Sequence, residues 1–277
     1  MWILEKPSFE KAMNDIMLVV EHCRKIGKEC TNAFERLYMK YDESKGIISN
    51  KEHEDFVGSY QLESEAMKKQ YENLGKGKYL EYIREELIAP VDKCPYCGMG
   101  EATTLDHFLP KSVYKELATC RLNLVPLCWK CNLEKKDKDF NGFVHSYYQD
   151  FPLGVIFFKC FVEISKEGAL IIDFYVDGQH IEQILKKKLD NQIKAIELNE
   201  RLRKECISYI TSNFSNDDSF NDDSLRFFLA DKIHKAKISL GANHWQTAFL
   251  QGLYDCNAFN IKYLNKFLQV NKRNLVI

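Results

Sequence analysis

Apolar residues recur every three to four positions through Phe9, Ala12, Met13, Ile16, Met17 and Val20, which predicts an amphipathic helix over residues 8–26. A second helical pattern covers 31–41 through Phe34, Leu37 and Tyr38, and Ser44 to Asn50 reads as a loop. Helical patterning resumes from 52 to 88, and Pro90 should end it, because proline cannot donate to the helical ladder and clashes with the preceding turn. The pattern changes between Phe151 and Val176. There, two β-rich runs, Val155–Ile164 and Ala169–Val176, flank Lys166-Glu167-Gly168, the signature of a hairpin. Residues 181–212 read as one long helix with Ile181, Ile184, Leu185, Leu189, Ile193 and Ile196 on one face. The polar stretch 213–224, with Asp217, Asp218, Asp222 and Asp223, reads as a solvated loop. Asn243, with Gln246 three residues later, fits the N-cap of a helix running through Phe249 and Leu253. The pattern divides the chain into a helical region 1–92, a centre 93–145, and a hairpin with helices over 146–277, an α+β arrangement without internal repeats.

Composition narrows the class. With 277 residues, 45% hydrophobic and 29% charged, the chain can build one large or two modest cores, which excludes disordered, collagen-like and coiled-coil chains. Lys and Arg number 39 against 40 Asp and Glu, so no overall field draws the protein to nucleic acid and any such binding needs a local patch. No apolar run approaches the roughly 20 residues that span a bilayer, and Met1-Trp-Ile-Leu-Glu-Lys-Pro7 lacks the basic-then-apolar build of a signal peptide, so a cytoplasmic protein is expected.

The ten cysteines alter the picture. In a reducing compartment they are not a disulfide framework. Cys94-Pro-Tyr-Cys97 and Cys128-Trp-Lys-Cys131 are two knuckles with 30 residues between them, the spacing that aims four thiolates at one tetrahedral Zn²⁺. Cys23, Cys30, Cys160, Cys206 and Cys256 read as buried thiols, and Cys120 is left outside the metal set for want of a near partner.

Between the knuckles lie Thr103-Thr-Leu-Asp106-His107-Phe-Leu-Pro110 and Asn123-Leu-Val-Pro126, and Asn132-Leu-Glu-Lys135-Lys136 follows the second. The order Cys-x-x-Cys, Asp-His, Asn, Cys-x-x-Cys-Asn resembles the HNH (ββα-metal) endonuclease family in its zinc-stapled form, over about residues 93–140. The resemblance implies a small ββα core pinned by a structural Zn²⁺ and embedded in mainly helical flanks. It implies that Asp106 is a ligand of a catalytic Mg²⁺ or Mn²⁺, His107 the general base that activates water, Asn123 the residue that orients His107 through its side-chain carbonyl, and Asn132 the second metal ligand. Asp and Asn stand where the family name has its first and last His, and both keep an oxygen donor suited to a hard ion. Because neighbours on a strand point to opposite faces, Asp106 and His107 share a site only if the strand ends or bends there, as Pro110 suggests.

Lys111, Arg121, Lys135 and Lys136 are candidate phosphate contacts, although Lys135 and Lys136 read equally as charges on a solvated helix face. From Cys94 to Phe140 seven basic residues face six acidic ones, weak electrostatics for a stand-alone DNA binder, so a homodimer or a partner subunit such as an ATPase is expected to assist. Tyr147, Tyr148 and Phe151 read as core rather than base-stacking residues. The wording around Asp106 is similar to that of bacterial HNH proteins associated with phage defence, which implies an antiphage role. The expected function is a metal-dependent DNA endonuclease in which one site cuts one strand. The competing readings are a non-catalytic zinc-knuckle module that binds nucleic acid or protein, and the same centre acting on RNA.

Overall fold

The computed structural model describes residues 3–136, 142–214 and 221–273, with backbone alone at 272 and 273. The fold is α+β, and the chain divides into two compact units, Trp2–Phe151 and Pro152–Ile277. The central Asp137 to Asn141 and, from the polar loop, Asp217 and Asp218 lie outside the described residues.

In the first unit, α1 (Phe9–His22) starts where the Ser8 hydroxyl accepts from Lys11 N, and α2 (Thr31–Glu43) packs against it. Their shared core is Ala12, Ile16, Val19, Phe34, Leu37, Tyr38 and Tyr41. The run expected over 52–88 is broken into α3 (Asn50–Ser59), α4 (Gln61–Gln70) and α5 (Glu81–Ile88). Tyr60 leaves helical dihedrals at φ −136°, and Gly77 takes φ +76° between α4 and α5, a left-handed conformation that glycine reaches without a Cβ penalty. α5 stops two residues before Pro90, as proline requires. Ser49 and Glu52 form a reciprocal capping box at the head of α3.

Strands β1 (Thr104–His107) and β2 (Leu124–Leu127) pair antiparallel, with Asp106 opposite Val125 and His107 opposite Leu124, and α6 (Trp129–Lys135) packs on β1. This is the ββα arrangement expected between and after the knuckles.

In the second unit, β3 (Phe158–Ile164) and β4 (Leu170–Val176) form the hairpin, closed at Gly168 with φ +86°. The helix expected over 181–212 is two: α7 (Gln183–Ala195) and α8 (Leu198–Asn213), with Glu197 left-handed at φ +52° between them. Ile196 and Leu198 are both fully buried. Two residues apart on one helix they would lie about 200° apart around the axis, so the break lets both face the core. α9 (Asp222–Ser239), α10 (Trp245–Asp255) and α11 (Ile261–Arg273) complete the unit. α10 presses closely on β3, since a Cβ on Gly252 would come 2.6 Å from the Cys160 carbonyl oxygen. Its N-cap is His244, whose ring nitrogen accepts from Gln246 N, and not Asn243. The Asn243 carboxamide is committed to the start of the hairpin, accepting from Phe157 N and Phe158 N and donating to Val155 O. No helix among the described residues is long and apolar enough to cross a membrane.

Candidate active site and metal centre

The first knuckle is a tight turn: Gly98 N donates to Cys94 O, and Cys94 N donates to Gly100 O. The second is the head of α6, where Cys128 is the N-cap and its sulfur accepts from Cys131 N at 3.4 Å. Gly100 is required between them, because a Cβ there would lie 2.8 Å from the Cys128 Cβ. The four sulfurs of Cys94, Cys97, Cys128 and Cys131 are buried and lie within 4.8 Å of one another, with Cys97 and Cys128 at 3.8 Å. Tetrahedral Zn²⁺ with bonds near 2.3 Å sets its sulfurs about 3.8 Å apart, so the donor set fits this ion in number, type and spacing. The close sulfurs drive one another in opposite directions, Cys97 and Cys128 below the ordinary thiol value and Cys94 and Cys131 above it, as thiols competing for shared protons do. Cys120, kept out of this set, is buried elsewhere, and burial pushes its thiol up to about 12.

β1 carries Asp106 toward α6. The Lys135 ammonium lies 2.8 Å from the Asp106 carboxylate and also donates to His107 O at 2.8 Å and Phe108 O at 3.4 Å. Lys135 is 1% exposed, so it is no phosphate contact on a solvated face. The face of α6 that bears Cys131 and Lys135 is the one packed inward. Asn132, half-buried on the same helix, donates to Thr104 Oγ1 at 3.1 Å, and Thr104 shares a face of β1 with Asp106. One carboxylate and one carboxamide thus come from facing elements, and both are hard oxygen donors.

His107, at the end of β1, points to different surroundings. Its Nε2 lies 2.9 Å from Ala118 O, and its ring centroid is 4.5 Å from that of Tyr71. A carbonyl can only accept, so Nε2 carries the proton and Nδ1 the lone pair. The residue is 7% exposed, and burial, with the Lys111 and Lys135 charges also opposing protonation, pushes its pKa down to about 3. Lys111 caps the Tyr71 ring at 3.8 Å from its centroid, and the Tyr71 hydroxyl donates to Leu105 O.

Asn123 is fully buried, but its hydrogen bonds go to groups other than the His107 ring. Its Oδ1 accepts from Leu109 N at 2.8 Å and from the Tyr41 hydroxyl at 3.0 Å, while Nδ2 donates to Leu109 O and Leu117 O. The orienting carbonyl expected of Asn123 is supplied by Ala118; Asn123 fixes the chain on either side. Arg121 is likewise withdrawn from solvent, 2% exposed, with bonds to both Asp15 oxygens at 2.6 and 2.8 Å and to Glu86 at 2.8 Å. It is a buried clasp between helical region and core, not a nucleic-acid contact. Lys136 is exposed just beyond α6. Tyr147 donates to Leu124 O and Tyr148 to Asp42, which commits both rings to the core.

Tyr71, Ala118 and Tyr41 were not legible as site residues. Ala118 acts through its backbone, and the two tyrosines come from helical segments remote in sequence.

Residues 94–138 match the family model described as HNH endonuclease. The chain is similar to protein ea31 of Escherichia phage lambda, with 28% identity over 145 residues covering 50% of this chain and 49% of that protein. The chain therefore spans about half the length of this curated relative. No solved structure matches it significantly. The ββα element, the four-cysteine cluster and the match over the same residues agree: the chain carries an HNH endonuclease domain at residues 94–138.

Proposed function

We propose that the protein is a metal-dependent HNH endonuclease that hydrolyses DNA phosphodiester bonds, with His107 as general base and a structural Zn²⁺ held by Cys94, Cys97, Cys128 and Cys131. The observation that supports it most is the geometry of His107, an imidazole fixed in one tautomer by Ala118 O at 2.9 Å. With Nε2–H donated to that carbonyl, Nδ1 is the nitrogen left to accept a proton from water. Asp106 and Asn132 would hold a Mg²⁺ or Mn²⁺, whose chemistry when bound is to offset charge on the phosphate and the leaving oxygen. Lys135 keeps the end of β1 in place by gripping Asp106 and the carbonyls of His107 and Phe108. Its positive charge also offsets that of the buried carboxylate. Of the four candidate cations, Lys136 is exposed and Lys111 half-buried, and these two are the proposed contacts to phosphate oxygens.

The test incubates wild type and His107→Ala with plasmid DNA and with RNA, in Mg²⁺, Mn²⁺ or EDTA. DNA nicking that falls at least 10²-fold in the variant, and vanishes in EDTA, is the expected result. Cleavage undiminished in His107→Ala overturns the assignment of the base. RNA cleavage alone replaces the substrate, and binding without cleavage of either polymer reduces the domain to a non-catalytic module.

A further inference from the structure

Behind Asn123 lies a polar chain buried in the first unit. Tyr41, on α2, is fully buried, and its hydroxyl lies 3.0 Å from Asn123 Oδ1 and 3.0 Å from His145 Nε2. His145 is 5% exposed, and its Nδ1 accepts from Tyr147 N. An amide N–H only donates, so Nδ1 carries the lone pair and Nε2–H donates to the Tyr41 oxygen. The Tyr41 proton then goes to Asn123 Oδ1, which also takes Leu109 N. Every donor finds an acceptor in one arrangement of protons.

Both ends of this chain reach the loop that carries the candidate base. The His145 ring packs, tilted by 36°, against that of Phe108, the residue after His107, with centroids 4.0 Å apart. Asn123 ties Leu109 to Leu117, the residue before the Ala118 carbonyl that receives His107 Nε2–H. The loop 108–118 is thus held at its start by His145 and bridged across its ends by Asn123, with Tyr41 joining the two. Room for the ring is kept by Gly46 at φ +83°, where any Cβ would collide with His145. Burying a phenol, an imidazole and a carboxamide is costly against an apolar filling unless all are satisfied. What distinguishes this cluster from ordinary core polarity is where it ends: by hydrogen bonds on Leu109 and on Leu117, which precedes Ala118, and by a ring contact on Phe108, which follows His107.

We propose that Tyr41 and His145 are positioning residues of the general base, bracing the 108–118 loop through Asn123 and Phe108 so that Ala118 O holds His107 in its Nε2–H tautomer. This deepens the nuclease reading and rests on it for the role of His107, while the tautomer itself is measurable without activity.

The test uses the full chain labelled with ¹⁵N-histidine near neutral pH. In wild type, His107 Nε2 should show the shift of a protonated ring nitrogen and Nδ1 that of a lone-pair nitrogen. Tyr41→Phe removes one oxygen, and the two shifts should move toward each other as the tautomers mix, with DNA nicking at saturating DNA reduced about tenfold or more and KM little changed. His145→Leu should do the same, and His145→Gln, which keeps a donor, should recover most of the wild-type shifts. Tyr41→Phe and His145→Leu that fold with wild-type His107 shifts and full rate overturn the proposal, as does a wild-type His107 without the Nε2–H tautomer. Should Tyr41→Phe fail to fold, the two His145 variants decide the matter by themselves. Shifts that respond as expected in a protein that cleaves nothing uphold the brace and sink the nuclease reading instead.

Discussion

The two units bury different chemistry. Among the described residues, Trp2–Phe151 encloses Asp15, Asp106, His107, Glu116, Arg121, Asn123, Lys135 and His145, whereas Pro152–Ile277 buries no charged side chain and, of polar ones, Gln192, His244 and Thr247. The second unit is an apolar hairpin-and-helix core in which polar groups serve local ends, such as Asn199 bonding both backbone groups of Phe174. Buried charge is expensive and survives only when paired, so its concentration around β1, β2 and α6 marks where specification outweighs simple stability. Arg121 with Asp15 and Lys135 with Asp106 are of this kind: neither would be chosen for burial alone, and each fixes a strand end or loop that the site uses.

Removing the metal should break the contrast most completely. A structural zinc contributes on the order of 10 kcal/mol, comparable with the whole stability of a domain. In calorimetry of the full chain, chelation or Cys94→Ser should abolish the transition of the first unit and leave that of the second. Two unchanged transitions would show that the sulfurs do not hold the first unit together. Next in size is Arg121→Met, which leaves Asp15 buried and uncompensated and should cost about 3–5 kcal/mol in denaturant unfolding. Its counterpart in the second unit, Lys235→Ala, loses an exposed pair with Asp231 at 2.7 Å and should cost less than about 0.5 kcal/mol. Equal costs would erase the distinction between the two cores.

A slope with pH provides a further test. His107 has a folded pKa near 3 against 6.5 for the free side chain, so below 6.5 the unfolded chain takes up a proton that the folded protein refuses. Its contribution is steady above pH 6.5 and declines as pH falls toward 3, by at most about 1.4 kcal/mol per pH unit. The difference between wild type and His107→Gln across this window isolates that contribution. Parallel curves would mean that His107 protonates as easily folded as unfolded.

Much of the plan was legible along the chain because it rests on local chemistry. The stop before Pro90 and the hairpin closed at Gly168 are each decided within a few residues. The knuckles were legible for the same reason, since a Cys-x-x-Cys turn aims two sulfurs wherever it is placed. Sequence misleads where a residue's role depends on which face it presents. Lys135 and Arg121 look like surface cations in a charge count, yet α6 turns the first onto Asp106 and the path after Ala118 delivers the second to Asp15. Glu197 left-handed within a strong helical pattern is another case, since only packing makes Ile196 and Leu198 face the same core.

Periodicity and ligand spacing, which act over a few residues, determined the fold class and the metal cluster from the sequence, and the resemblance to HNH endonucleases implied the ββα element. Tertiary structure alone decided that Ala118 rather than Asn123 orients His107, that Lys135 accompanies Asp106, and that Tyr41 and His145 stand behind Asn123. Hydrogen-bond partners 11 to 104 positions apart in the chain are chosen by burial, which leaves a polar group no water to bond and so makes its nearest neighbour in space its partner.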